Sequence, residues 1–190
     1  MRYKRILKIT ITVVIIVLLG IAGYFIHDVN TRFPEPTEIY SYTYDNPAYE
    51  RGLKIVPVSC RLYKYDEYNQ IYNNDGAFNG VGKKSEWDKY TVLLFTIEYE
   101  NVSDKEIIYE TDNYNMVAKQ SGAFNGVLLE NGANKSKIQP GEKQVYTMST
   151  IITPEFFRKK WSDKLDSDTY YLVYYWYPQI KRLEFEVEHD

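Results

Sequence analysis

The first 26 residues divide sharply by polarity. Residues 9–26 run for 18 positions without a charge, and only Thr10, Thr12 and the ring hydroxyl of Tyr24 are polar. At 1.5 Å per residue a helix of this length reaches about 27 Å, close to the hydrocarbon thickness of a bilayer. The core helix of a soluble protein keeps a polar face. This stretch has none. The pattern predicts a single transmembrane helix at 9–26, preceded by a tail at 1–8 and followed by a linker at 27–38. Phe33-Pro34-Glu35-Pro36 fixes two φ angles and blocks a continuing helix, so the linker reads as semi-extended.

From residue 39 onward the period shortens to two, the signature of half-buried strands. Residues 53–62 are β-branched and loosely alternating, and Pro57 within them predicts an edge position or a bulge. Residues 90–99 carry Val92, Leu93, Leu94 and Phe95 in succession and predict a central strand that is apolar on both faces. Further strands are expected at 105–110, 113–118 and 144–152. A second two-faced strand is expected at 169–177. The segment 182–188 alternates cleanly, with Leu183, Phe185 and Val187 inward and Glu184, Glu186 and Glu188 outward. Asn101-Val102-Ser103-Asp104 reads as a polar turn. Gln139-Pro140-Gly141-Glu142 suits a type II turn. One helix interrupts the pattern: Thr153 caps it, Pro154 opens it, and Phe157, Trp161 and Leu165 follow at helical spacing. The expected fold is mainly β: an antiparallel immunoglobulin-like β-sandwich of about seven to nine strands with one short helix, spanning residues 39–190.

A hexapeptide, Gly-Ala-Phe-Asn-Gly-Val, occurs at 76–81 and again at 122–127. At the same offset of 46, Tyr63, Asp66, Tyr68 and Asn69 match Tyr109, Asp112, Tyr114 and Asn115, so ten of nineteen positions agree. Asn79-Gly80 and Asn125-Gly126 favour two-residue turns with both residues at positive φ, which predicts two similar hairpins. The competing reading makes Phe78, Asn79, Phe124 and Asn125 exposed tips of one binding edge. These four are the candidate binding residues.

Charge sets the orientation and narrows the partners. Arg2, Lys4, Arg5 and Lys8 precede the apolar run, which puts Met1 in the cytoplasm and Asp190 outside the cell. The alternative is a cleaved signal peptide, with Gly20 and Ala22 at the positions a signal peptidase reads. The apolar run continues past them through Tyr24-Phe25-Ile26. The chain has net charge −3, so the part after residue 8 carries −7. An acidic body repels phosphate backbones and argues against nucleic acid. Tyrosine occurs 20 times. That suits half-buried strands, or else an aromatic binding face.

Reactive chemistry is sparse in the sequence. Cys60 is the only cysteine and sits in a strand, which suits a small core residue better than a nucleophile. His27 and His189 lie at the apolar helix and next to the last residue, where neither suits a triad. No catalytic residue, metal ligand set or cofactor motif is expected. Glu184, Glu186 and Glu188 read as a solvated face.

The strand closing in Asn101-Val102-Ser103-Asp104-Lys105, the later Pro140-Gly141-Glu142, and Tyr170-Tyr171-Leu172-Val173 running to Tyr177-Pro178 resemble uncharacterised cell-envelope proteins of Gram-positive bacteria with an immunoglobulin-like domain. The resemblance covers about the last hundred residues. It implies a β-sandwich at the cell surface and carries no functional residue over. Members of that group are often lipid-anchored through a cysteine, whereas this chain offers a helix. The expected function is a membrane-anchored extracellular interaction module without catalysis. Its expected partners are membrane lipid through the helix and a protein or cell-wall glycan ligand. An accessory or protective subunit of another membrane protein is the second reading, and a carbohydrate-active or other enzyme the third.

Overall fold

In the computed structural model, residues 2–34, 38–72, 78, 89–110, 114–130, 135–153 and 164–188 are described. The chain forms two units, Met1–Thr37 and Glu38–Asp190.

The first unit is helix α1, Arg2–Arg32. It outruns the predicted span at both ends. The residues after Ile26 were expected to be linker, yet 27–32 stay helical. Asp28 and Arg32 pair across one turn at 3.0 Å, and the Phe33 amide donates to the Val29 carbonyl at 2.8 Å. Pro34 follows directly and cannot continue the ladder. From Lys8 to Arg32 the helix is long and apolar enough to cross a membrane, as an anchor or a signal sequence is.

The second unit is a β-sandwich. One sheet orders its strands β1 (Ile39–Tyr42), β12 (Ile180–Glu186), β11 (Thr169–Tyr175), β6 (Asn115–Ala118) and β7 (Phe124–Gly126). The facing sheet orders β2 (Ala48–Glu50), β3 (Leu53–Lys64), β4 (Thr91–Asn101), β10 (Lys143–Ile152) and β8 (Leu128–Leu129). A small third sheet pairs β5 (Ile107–Glu110) with β9 (Lys135–Ile138). The strands outnumber the expectation because residues 107–138 break into short pieces of two to four residues each. One pairing departs from the antiparallel rule: β1 runs parallel to β12.

The core lies between the two large sheets. Leu93, Phe95, Ile97 and Tyr99 from β4 and Met148 and Ile152 from β10 face Met116, Tyr170, Leu172, Leu183 and Phe185. Strand β4 holds the middle of its sheet as predicted. It alternates, however, except at Val92 and Leu93, which are buried on opposite faces. Strand β11 is buried on both faces from Tyr170 to Val173. Its outward Tyr171 lies under the Arg182 guanidinium at 3.5 Å. The expected alternation of the last strand holds at Leu183 and Phe185, both buried, with Glu186 and Glu188 exposed. Past β12 the chain crosses to the other sheet. The Glu188 amide donates to the Cys60 carbonyl at 2.9 Å, and Arg61 Nε donates to Glu188 at 2.9 Å. Pro57 sits at a register shift in β3, beyond the last residue paired with β2, so its missing N–H leaves no gap in a ladder.

Helix α2, Tyr65–Tyr72, was not expected. Tyr65, Tyr68, Asn69 and Tyr72 recur at i, i+3, i+4 and i+7. They pack a second cluster with Val92, Ile151 and Phe78. Glu67 accepts from the Lys64 amide at 3.0 Å, the reaching-back half of a capping box. The helix expected after Thr153 lies outside the described residues over 154–163; the chain re-enters as a short helical turn at 164–167.

Candidate functional site

The two repeats do not fold alike. Tyr68 and Asn69 lie on α2, while their counterparts Tyr114 and Asn115 lead into and open a strand. The first predicted hairpin turn, Asn79-Gly80, lies outside the described residues, and over the described residues tertiary surroundings give similar segments different local structure. The second, Asn125-Gly126, does not make the hairpin turn. Both residues belong to β7 and pair with β6. The reversal comes earlier, at 119–122, where Gly122 takes a φ of 68°. The Asp168 carboxylate pins that reversal, accepting from the Gln120 amide at 2.9 Å and the Ser121 amide at 3.2 Å. A two-residue turn with both positions at positive φ does occur, at Arg51 (49°) and Gly52 (86°), between β2 and β3.

The four candidate residues separate accordingly. Phe78 is buried at 7% exposure beside Tyr68, and its carbonyl accepts from the Tyr65 hydroxyl. Asn79 lies outside the described residues. Phe124 is 54% exposed and meets Trp176 with ring centroids 6.0 Å apart. Asn125 holds the fold: its Nδ2 donates to the Ile151 carbonyl at 2.9 Å, and its Oδ1 accepts from the Gly126 amide at 2.9 Å. Phe78, buried, does not share an exposed edge with Phe124.

The structure instead brings together a cleft of about 700 Å³ at one end of the sandwich. Its walls include the β2–β3 turn with Arg51, strand β5 with Ile108 and Tyr109, Tyr114, and the end of β11 with Tyr174 and Tyr175. The turn is fixed from below. The Val102 amide donates to the Gly52 carbonyl at 2.9 Å. A Cβ on Gly52 would come within 2.9 Å of the Ser103 Cβ. Asn101, fully buried, ties the same end together. Its Nδ2 donates to the carbonyls of Lys105 (2.7 Å) and Ile138 (2.8 Å), and its Oδ1 accepts from the amide and hydroxyl of Ser103. The predicted type II turn closes beside it: the Glu142 amide donates to the Gln139 carbonyl at 2.9 Å, with Gly141 at a φ of 76°.

Beneath the cleft three tyrosine hydroxyls join. Tyr99 and Tyr114 stand 2.7 Å apart, Tyr109 and Tyr114 2.8 Å, and Tyr109 and Tyr99 3.0 Å. Burial first, and the neighbouring tyrosines second, hold Tyr99 and Tyr114 well above the ordinary phenol range. The Tyr174 hydroxyl is shut off from solvent with no hydrogen-bond partner among the described residues. Burial, then Glu50, pushes its pKa up. Two acids at the rim are occupied, Glu50 by Lys181 and Glu110 by Lys135. Arg51 makes no ion pair among the described residues. Such a surface can hold a ligand through apolar contact, the exposed Tyr175 phenol and the Arg51 cation. Elsewhere, Cys60 is fully buried, and burial raises its thiol far out of the reactive range. No group of three His, Cys, Asp or Glu that could hold a metal occurs among the described residues.

No family model and no curated protein matches the chain. Among solved structures it is similar to an uncharacterized β-sandwich protein from Clostridium difficile, 10% identical over 80% of this chain and 97% of that one, with a TM-score of 0.46. It is also similar to a conserved hypothetical protein from Bacillus anthracis (12% identical, 70% and 88% covered, TM-score 0.41). A third is the yjhA protein from Bacillus subtilis (12%, 71% and 79%, TM-score 0.39). These are likenesses of fold.

Sequence reasoning missed Arg51, Tyr109, Tyr114 and Tyr174. A signal for two of them was present: Tyr109 and Tyr114 are repeat positions as invariant between the copies as the hexapeptide. Arg51 precedes a glycine in the one place among the described residues where the chain reverses with two left-handed residues.

Proposed function

We propose that this protein is a membrane-anchored extracellular interaction module, held by α1 with its N-terminus in the cytoplasm, that takes its ligand in the tyrosine cleft. The observation that carries the reading is the cleft itself: tyrosine-walled, roomy enough for part of a peptide or glycan, and rimmed by an arginine without an acidic partner among the described residues. Aromatic residues and arginine are the side chains that dominate binding hot spots. The reading makes the protein a non-catalytic member of the cell-envelope β-sandwich proteins it resembles.

A specific observation also favours the accessory-subunit reading. The cleft lies at the end of the sandwich where the chain departs toward α1, since Gln179 in its wall donates to Glu38 at 2.9 Å. A partner that also engages α1 would have this end within reach of the connecting chain.

The test is proximity labelling on intact cells, comparing the wild type with the double variant Arg51→Asn and Tyr175→Phe, both at residues that line the cleft. Asparagine accepts the positive φ of position 51, and phenylalanine removes only a hydroxyl. The expected result is a set of labelled envelope neighbours that the variant loses while staying folded and at the membrane. Identical neighbours in both would rule out the cleft as the site.

A further inference from the structure

The turn between β11 and β12 exposes three aromatics in a row: Tyr175 at 45%, Trp176 at 43% and Tyr177 at 45%. Phe124, on edge strand β7, adds its ring beside Trp176. Ile39 and Tyr40, also exposed, open β1 next to the same turn. Hydrogen bonds fix this neighbourhood: the Ile180 amide donates to the Glu38 carbonyl at 2.9 Å, and β1 pairs with β12 from Ile39 and Ile180 onward. The aromatic group therefore sits where the sandwich is tethered.

Covalent connectivity bounds the distance between that end and a bilayer holding α1. Six helical residues separate Ile26 from Arg32, about 9 Å. Six more steps reach Glu38, at most about 21 Å fully extended. Glu38, where the sandwich begins, is thus joined to Ile26 by a tether of at most about 30 Å.

We propose that this end docks onto the lipid–water interface, with Trp176 and Phe124 as the inserting side chains. The inference rests on the anchor reading above. Tryptophan and tyrosine prefer the headgroup level, where the ring is sheltered and its polar edge stays wet. Tethering raises the local concentration of the patch at the surface, so a partition too weak for a free protein suffices. Attraction to anionic headgroups is not the driving force. The nearby lysine, Lys181, is engaged by Glu50, Arg182 stands over the Tyr171 ring, Arg51 is a single cation at that end, and the chain beyond residue 8 is acidic. Docking by apolar partition resists salt, whereas electrostatic docking is screened by it.

The experiment uses the full chain reconstituted into phosphatidylcholine vesicles containing lipids brominated high on the acyl chain. Tryptophan emission is compared between the wild type, Trp176→Phe and Phe124→Asp. The expected result is a blue-shifted, bromine-quenched component that high salt leaves unchanged, that Trp176→Phe removes, and that Phe124→Asp shifts back toward water. An alkaline wash of the vesicles is run in parallel. A chain that survives the wash while its Trp176 emission is unquenched overturns the docking and leaves the anchor standing. A chain released by the wash overturns the anchor, and the inference with it.

Discussion

Single side chains now carry opposite expectations for two sequence-identical phenylalanines. Phe78 is buried among Tyr65, Tyr68 and the rest of the second cluster, so Phe78→Ala should cost ~3–5 kcal/mol through lost burial and a cavity. Phe124 is exposed, and Phe124→Ala should move stability by no more than ~0.5 kcal/mol. Thermal melts of the two variants read both values. The buried tyrosines make a pH prediction. Tyr99 and Tyr114 have folded-state pKa values raised above the unfolded ones, chiefly by burial. Their contribution to stability is therefore complete below the ordinary tyrosine pKa of about 10 and is lost as pH climbs toward the folded values. In an ultraviolet titration of tyrosinate, Tyr99 and Tyr114 should ionise only with the loss of near-ultraviolet circular dichroism. Smooth ionisation of every tyrosine without unfolding would contradict the hydroxyl cluster.

Turns and caps decide stability at the scale of elements. Asn101 satisfies the Lys105 and Ile138 carbonyls from a fully buried site. Asn101→Ala should cost ~1–3 kcal/mol, because the buried Ile138 carbonyl loses its partner and the Ser103 amide loses its acceptor. Gly52→Ala combines a left-handed backbone with contact against Ser103, and its cost should exceed ~1 kcal/mol. Denaturant midpoints check both. Much of this level was legible in the chain: the type II turn at Pro140-Gly141, the bulge at Pro57 and the alternation ending in Leu183 and Phe185 follow from residue type alone. Helix α2 was legible too, in the spacing of Tyr65, Tyr68, Asn69 and Tyr72, but the match with residues 109–115 drew the reading toward a second hairpin. Two segments that share residues can differ in structure when one packs its tyrosines around a short helix and the other feeds a sheet edge. The cleft was the least legible part. Its walls come from the β2–β3 turn, β5, Tyr114 and the β11–β12 turn, and only long-range pairing brings those together.

On the scale of the molecule, the anchor reading predicts a simple fragmentation pattern. Protease added to intact cells should remove the sandwich and leave residues 1–8 protected inside. Loss of only the tail from outside would reverse the topology. The sandwich has its own core, drawn from residues between Ala48 and Phe185. A body cut free of its helix should therefore melt in one cooperative step, as calorimetry would show. The parallel pairing of β1 with β12 has a mechanical consequence. Both strands begin at the Glu38 end, so a pull on Glu38 along the strand direction, opposed at the far end of the sandwich, draws β1 along its own length. Its ladder to β12 is then loaded in shear, with the bonds from Ile39 to Tyr42 resisting together. An antiparallel first strand leaving by a hairpin would peel open one bond at a time.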